Sequence, residues 1–195
     1  MLKANVGRGK EKTVSEGWLY PITLRAIAEH HALNLVPLMA FSARIALPAG
    51  TPSGTDSIQI DVVAADTAHR TLVLAECKDF LTHQGASMCA EQLILNTYLL
   101  KTYLLGPLGD RQHRVEASAL TDYTLIRYVS LGGHPPPDYA NARTTSDDET
   151  RQRLDMYVRY MNRIGRCGLG VVLFRDKDSM PIVKPATPCK WTEAM

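Results

Sequence analysis

Three charged side chains interrupt an apolar stretch of the chain, SIQIDVVAADTAHRTLVLAECKDF from Ser57 to Phe80: Asp61, Glu76 and Lys78. Ionised groups among apolar neighbours are costly unless a partner compensates them. Glu76 and Lys78 are two residues apart and share one face of a strand, and an antiparallel partner can bring Asp61 beside them. Two carboxylates about 4 Å apart repel by roughly 4 kcal/mol at an effective dielectric near 20, and one lysine offsets only part of that. A bound cation relieves the remainder. Oxygen donors without His or Cys favour a hard ion, and Mg2+ (or Mn2+) takes one or two carboxylates together with waters and substrate phosphate oxygens. A lysine beside such a pair positions or helps deprotonate a water and stabilises charge on a phosphorane-like transition state.

The elements that must hold this triad follow from the flanking pattern. β-branched and apolar residues over Ile58 to Ala64 and Thr71 to Cys77, separated by turn formers from Asp66 to Arg70, predict a hairpin. Cys77 lies between Glu76 and Lys78 and points to the opposite face, which reads as core packing and not as a nucleophile. Upstream, Ser15 to Leu33 predicts a first helix with Pro21 near its start and an apolar stripe of Leu24, Ile27, Ala28 and Leu33. Glu16 stands close to that helix start, either as a charge favoured by the helix dipole or as a further acidic ligand aimed at a metal. Asn34 to Leu47 predicts the first strand, with Pro37 placing its early part at an edge or bend, and Pro48 to Asp56 predicts a loop.

Downstream, Gln84 to Leu105 predicts a long helix buried against a sheet through Leu93, Leu95, Leu99, Leu100, Tyr103 and Leu104. Gln92, Asn96 and Tyr103 form a polar row on one side of it, lining a cleft or marking the solvent edge, with the solvent edge preferred. Tyr123 to Leu131 predicts a further strand. A loop before it carries the basic cluster Arg111, Gln112, His113 and Arg114, and a Pro-rich segment follows it from Gly132 to Thr145. Ser146 and Glu149 make a capping box for a helix ending at Gly165. Arg151, Arg153, Arg159 and Arg163 on that helix are either a phosphate-contacting surface or a solvated face paired with Asp147, Asp148 and Asp155. Leu169 to Phe174 predicts a last strong strand, and Ile182 to Lys184 a short segment after it.

Composition narrows the class. With 195 residues, 45% hydrophobic and 22% charged, the chain suits one globular domain preceded by a mobile basic arm over residues 1–14. A net charge of +2 does not by itself mark a nucleic-acid binder, so any binding face must come from how the basic residues are distributed. Neither a membrane-spanning run nor the apolar core of a signal peptide is seen, and a cytoplasmic location is expected. The 4 cysteines, Cys77, Cys89, Cys167 and Cys189, show neither a CxxC pair nor a zinc-ligand spacing and read as reduced thiols.

Asp61, 14 intervening residues, then Glu76-Cys77-Lys78, within an ordered helix, strand, hairpin, helix and strand, resembles the PD-(D/E)XK nuclease superfamily, the restriction-endonuclease-like fold. The resemblance covers roughly residues 15–131, with an αβ extension over about 146–184. It implies an αβββαβ core in which a central mixed sheet is flanked by helices. It further implies that Asp61 and Glu76 bind Mg2+ or Mn2+, that Cys77 contributes its main-chain carbonyl, that Lys78 is catalytic, and that Glu16 is an additional ligand. Ile60 stands where proline is common before the first acid, and Gln92 is followed four residues later by Asn96, not by the tyrosine of a QxxxY element. The implied activity is phosphodiester hydrolysis of nucleic acid, DNA foremost, with Gln92, Arg111, Arg114, Arg151, Arg159 and Arg163 as candidate nucleic-acid contacts and a homodimer if both strands of a duplex are cut. The alternative is a catalytically inactive nuclease-like module that binds nucleic acid or serves assembly. A purely structural ion-pair cluster in an unrelated α/β protein is the third reading.

Overall fold

Aliphatic runs with turn formers between them become the strands of one mixed sheet, and two amphipathic helices cover its faces. The computed structural model describes residues 17–47, 57–78, 83–104, 119–132, 168–174 and 180–194. The basic arm, Glu16, the loop at 48–56, the arginines at 111, 114, 151, 159 and 163, and the capped helix expected over 146–165 therefore lie outside the described residues.

In chain order the elements are α1 (Leu19–His31), β1 (Val36–Pro37), β2 (Ala43–Ala46), β3 (Ser57–Ile60), β4 (Val62–Asp66), β5 (Thr71–Lys78), α2 (His83–Leu99) with a π-helical turn at Leu100–Leu104, β6 (Thr124–Gly132), β7 (Gly170–Phe174), β8 (Ile182–Lys184) and β9 (Cys189–Lys190), followed by a 3-10 turn at Trp191–Glu193. The sheet order is β1-β4-β5-β6-β7-β8, with β9 on β6, while β2 and β3 pair as a separate ribbon. β4 and β5 form the expected antiparallel hairpin, in register from Val62 opposite Ala75 to Asp66 opposite Thr71. β6 runs parallel to β5 along its whole length, and β7 runs parallel to β6. Such parallel pairs need a crossover connection, which α2 supplies between β5 and β6. Asp66 locks the hairpin turn by accepting hydrogen bonds from the His69 amide at 3.0 Å, from His69 Nδ1 at 2.8 Å and from the Asn34 amide at 2.8 Å. Those donors hold its carboxyl well below the usual carboxylate range.

Side-chain alternation sends Leu72 and Leu74 of β5, with Leu125, Val129 and Leu131 of β6, toward α2. Val73, Ala75 and Cys77, with Ile126 and Tyr128, face α1. Gly170 on β7 is required by the second layer, because a Cβ there would collide with the Tyr128 ring and lie 2.7 Å from the Ala186 amide nitrogen.

Four sequence expectations are corrected. The strand expected over Ile58 to Ala64 is two strands separated by a bend at Asp61. Ile58 and Ile60 face α2, and so do Val63 and Ala65, so the alternation slips by one residue at Asp61. The chain leaves one ladder there and enters another, as a β-bulge makes a strand do. Likewise the single strand expected over Asn34 to Leu47 divides into β1, a two-residue edge beside β4, and β2, which pairs with β3. On α1 the buried face is Leu19, Tyr20, Thr23, Ala26 and Ile27. Leu24, Ala28 and Leu33 are only half-buried, because Thr23 takes the centre of the face by sharing a 2.6 Å hydrogen bond with Ser130 on β6. On α2 the sheet-facing stripe is Cys89, Ala90, Leu93, Asn96, Thr97 and Leu100, which leaves Leu95 52% exposed where burial was expected. Leu93, Leu99 and Leu100 are buried as expected, so Leu95 alone of these four leucines turns outward.

Candidate functional site

The slip at Asp61 places a carboxylate where a ladder partner would otherwise be. β4 stops pairing with β5 at Val62 opposite Ala75, and β3 turns away to pair with β2. Cys77, two residues beyond Ala75, is left facing an edge from which the neighbouring strand has departed. Its amide instead donates to Asp61 Oδ2 at 2.9 Å. Because a strand residue turns its N–H and C=O to the same neighbour, the Cys77 carbonyl lies on that edge too. Asp61 Oδ1 accepts from Ser42 Oγ at 2.9 Å, and the Ser42 amide donates to the Asp61 carbonyl, also at 2.9 Å. Ser42 adopts a left-handed backbone (φ 55°), which serine enters only at a cost, and Gln59 Nε2 donates to its hydroxyl.

Glu76 reaches the same place from the α2 face of β5. Its carboxyl is within hydrogen-bonding reach of Asp61, and Asn96 on α2 donates through Nδ2 to Glu76 Oε1 at 2.9 Å and to the Gln59 carbonyl at 2.6 Å. Asp61 is 5% exposed and Glu76 2%. Burial above all, and next the charge of Asp61, push the Glu76 carboxyl up from 4.5 to about 9, while the Asn96 hydrogen bond and the Lys78 charge draw it down. At neutral pH Glu76 therefore holds its proton. The electrostatic conflict anticipated from the sequence is present in the fold, and a proton resolves it in the absence of a cation.

Lys78 ends β5 on the Glu76 face and stays half-buried. The Cys77 side chain points the other way into the α1 layer, where burial pushes the thiol up and leaves it without thiolate character at neutral pH. Of the expected polar row on α2, Gln92 is half-buried one turn before Asn96. Asn96 itself is buried at the acids, which corrects the preferred solvent-edge reading at that position: α2 is rotated to put Asn96 inward and Leu95 outward. Ser42 and Gln59 carried no signal in the sequence, since a serine before a short strand and a glutamine within one are ordinary surface residues. Among the described residues no three His, Cys, Asp or Glu side chains converge, so the acids gathered here are two.

The donor set is made of hard oxygens, two carboxylates and a strand-edge carbonyl. That set fits Mg2+ or Mn2+, which need few protein ligands because they retain water. The proton kept by Glu76 marks where positive charge is wanted. Asp61 and Glu76 would hold such an ion, and the chemistry it would bring is Lewis-acid stabilisation of a phosphoryl oxygen. Comparison of the chain with protein-family models, with characterised proteins and with solved structures finds no match.

Proposed function

We propose that the chain is a metal-dependent nuclease that hydrolyses phosphodiester bonds of nucleic acid, DNA foremost, on a restriction-endonuclease-like αβββαβ core. The observation that carries this reading is the meeting of Asp61 and Glu76 in one buried pocket with Lys78 on the same strand face. The element order supports it as well: a helix, then β1, β4 and β5 as consecutive antiparallel neighbours, then α2 and a parallel β6. In this reading Asp61 and Glu76 hold Mg2+ or Mn2+, the Cys77 carbonyl faces it, and Lys78 orients the attacking water and balances charge at the phosphate. Two sites in a homodimer would serve cleavage of both strands of a duplex. Purified protein with Mn2+ or Mg2+ should nick plasmid DNA, and Lys78→Ala and Asp61→Ala should each lose at least a hundredfold in rate. Cleavage that persists at the wild-type rate in both variants sinks the assignment.

A second reading, a non-catalytic nuclease-like binding or assembly module, is favoured by one observation. Both oxygens of Asp61 and one of Glu76 already accept protein hydrogen bonds in a pocket that is nearly closed. Under it, Mn2+ titration gives no saturable site that depends on Asp61 and Glu76.

A further inference from the structure

The Asn96 side chain on α2 is bonded to two other elements at the acids, β3 through the Gln59 carbonyl and β5 through Glu76. We infer that Asn96 is a positioning residue that aims Glu76 at Asp61 and confines the pocket to a single divalent ion. The inference rests on the metal-dependent reading and adds to it a residue and a stoichiometry.

The amide orientation follows from its partners. A carbonyl at 2.6 Å and a carboxyl oxygen at 2.9 Å are both acceptors, so the atom between them must be the NH2 nitrogen, and both of its hydrogens are engaged. One hydrogen ties α2 to β3, two residues before the slip at Asp61. The other engages Glu76 Oε1, and the same carboxyl lies within reach of Asp61. Asp61 is fixed independently by Ser42 and by the Cys77 amide. Two carboxyls anchored from opposite sides by neutral donors make a preorganised pair, and hydrogen-bonded supports of this kind set the orientation of metal-binding side chains. The same geometry restricts occupancy. A second cation at Glu76 Oε1 would need further oxygens where the Asn96 NH2 group stands, an N–H donor that repels positive charge. An aspartate in place of Asn96 would offer those oxygens with little change of shape.

The test uses the full chain stripped of metal, at pH 8, with Mn2+ as the probe. Binding is followed by calorimetry and by the electron paramagnetic resonance signal of the ion, and thermal unfolding in EDTA reports on the fold. Wild type should bind one Mn2+ per chain. Asn96→Leu, similar in size but without a donor, should weaken that site by about 10- to 100-fold and alter its resonance spectrum. Asn96→Asp should take up a second equivalent. If Asn96→Leu fails to fold, Asn96→Ser carries the same comparison, with a loss in the same range expected. Wild type that binds no Mn2+ brings down the metal reading itself. Wild type that binds one Mn2+, with Asn96→Leu or Asn96→Ser binding it as tightly, overturns the positioning role and leaves the metal reading standing. Two ions in wild type, or one in Asn96→Asp, overturns the single-ion limit.

Discussion

Glu76→Gln should make the metal-free protein more stable, by an amount that grows with pH. In the unfolded chain the Glu76 carboxyl titrates near its ordinary 4.5, whereas burial and the Asp61 charge raise it to about 9 in the fold. Between those values the native state holds a proton that the unfolded state has released, so the free energy of unfolding falls by about 1.4 kcal/mol for each pH unit gained. The loss begins near pH 4.5, reaches on the order of 3 kcal/mol at pH 7, and levels off near pH 9. Glutamine has no such proton to take up. Its Nε2 can donate to Asp61 where the protonated acid would, and its Oε1 can still accept from Asn96. The advantage of the variant should thus be near zero at pH 4.5 and about 3 kcal/mol at pH 7. Urea unfolding in EDTA at pH 5, 6, 7 and 8, followed by tryptophan fluorescence, measures it, and subtracting wild type from variant cancels the titration of groups remote from Glu76. A difference that stays flat with pH, or a wild type more stable than the variant at pH 8, refutes the buried protonated Glu76. Adding Mg2+ should nearly close the gap at pH 7. At a hundred times its dissociation constant the ion stabilises wild type by about 2.7 kcal/mol and leaves Glu76→Gln nearly unchanged.

Ser42→Ala should lower stability by about 1–2 kcal/mol, because it deprives Asp61 Oδ1 of its donor and keeps the left-handed backbone. Ser42→Gly should recover about 1 kcal/mol of that by relieving φ, yet bind Mn2+ as weakly as the alanine variant; chemical denaturation and Mn2+ titration read the two effects separately. Ala32 closes α1 in a left-handed conformation (φ 52°, ψ 44°), with the Leu33 amide donating to the Ala28 carbonyl at 2.9 Å. Ala32→Gly should therefore stabilise by about 0.5–1 kcal/mol, seen as a rise of a few degrees in melting temperature, with Mn2+ affinity unchanged.

Asp61, Glu76 and Lys78 were legible because a charge inside an aliphatic strand has no local explanation and so asks for a partner. The hairpin was legible because turn formers bracket its strands. The break at Asp61 was not. From Ile60 to Ala65 the chain is buried on both sides, and a strand with two buried faces carries no alternation from which its phase could be read. Asn96 was ambiguous for a related reason: a polar residue on a mostly apolar helix fits the water side and a polar pocket equally well, and only the rotation of α2 decides between them. Leu95 shows the same ambiguity reversed, an apolar residue that faces out. Ser42 acts through a backbone angle and a hydroxyl, neither of which its neighbours in sequence encode.

The slip at Asp61 sets sheet and site in opposition. Ile60 and Val62 already face opposite layers, so removing Asp61 would join them into a strand of unbroken alternation. The acid is thus the surplus residue of its strand, and losing one codon there would erase the site and leave the alternation improved. A lineage carrying this fold has a short mutational route from a charged pocket to an inert scaffold. The return journey is harder, since it requires inserting one residue at one position and then surrounding it with Ser42, the Cys77 amide and a protonated glutamate.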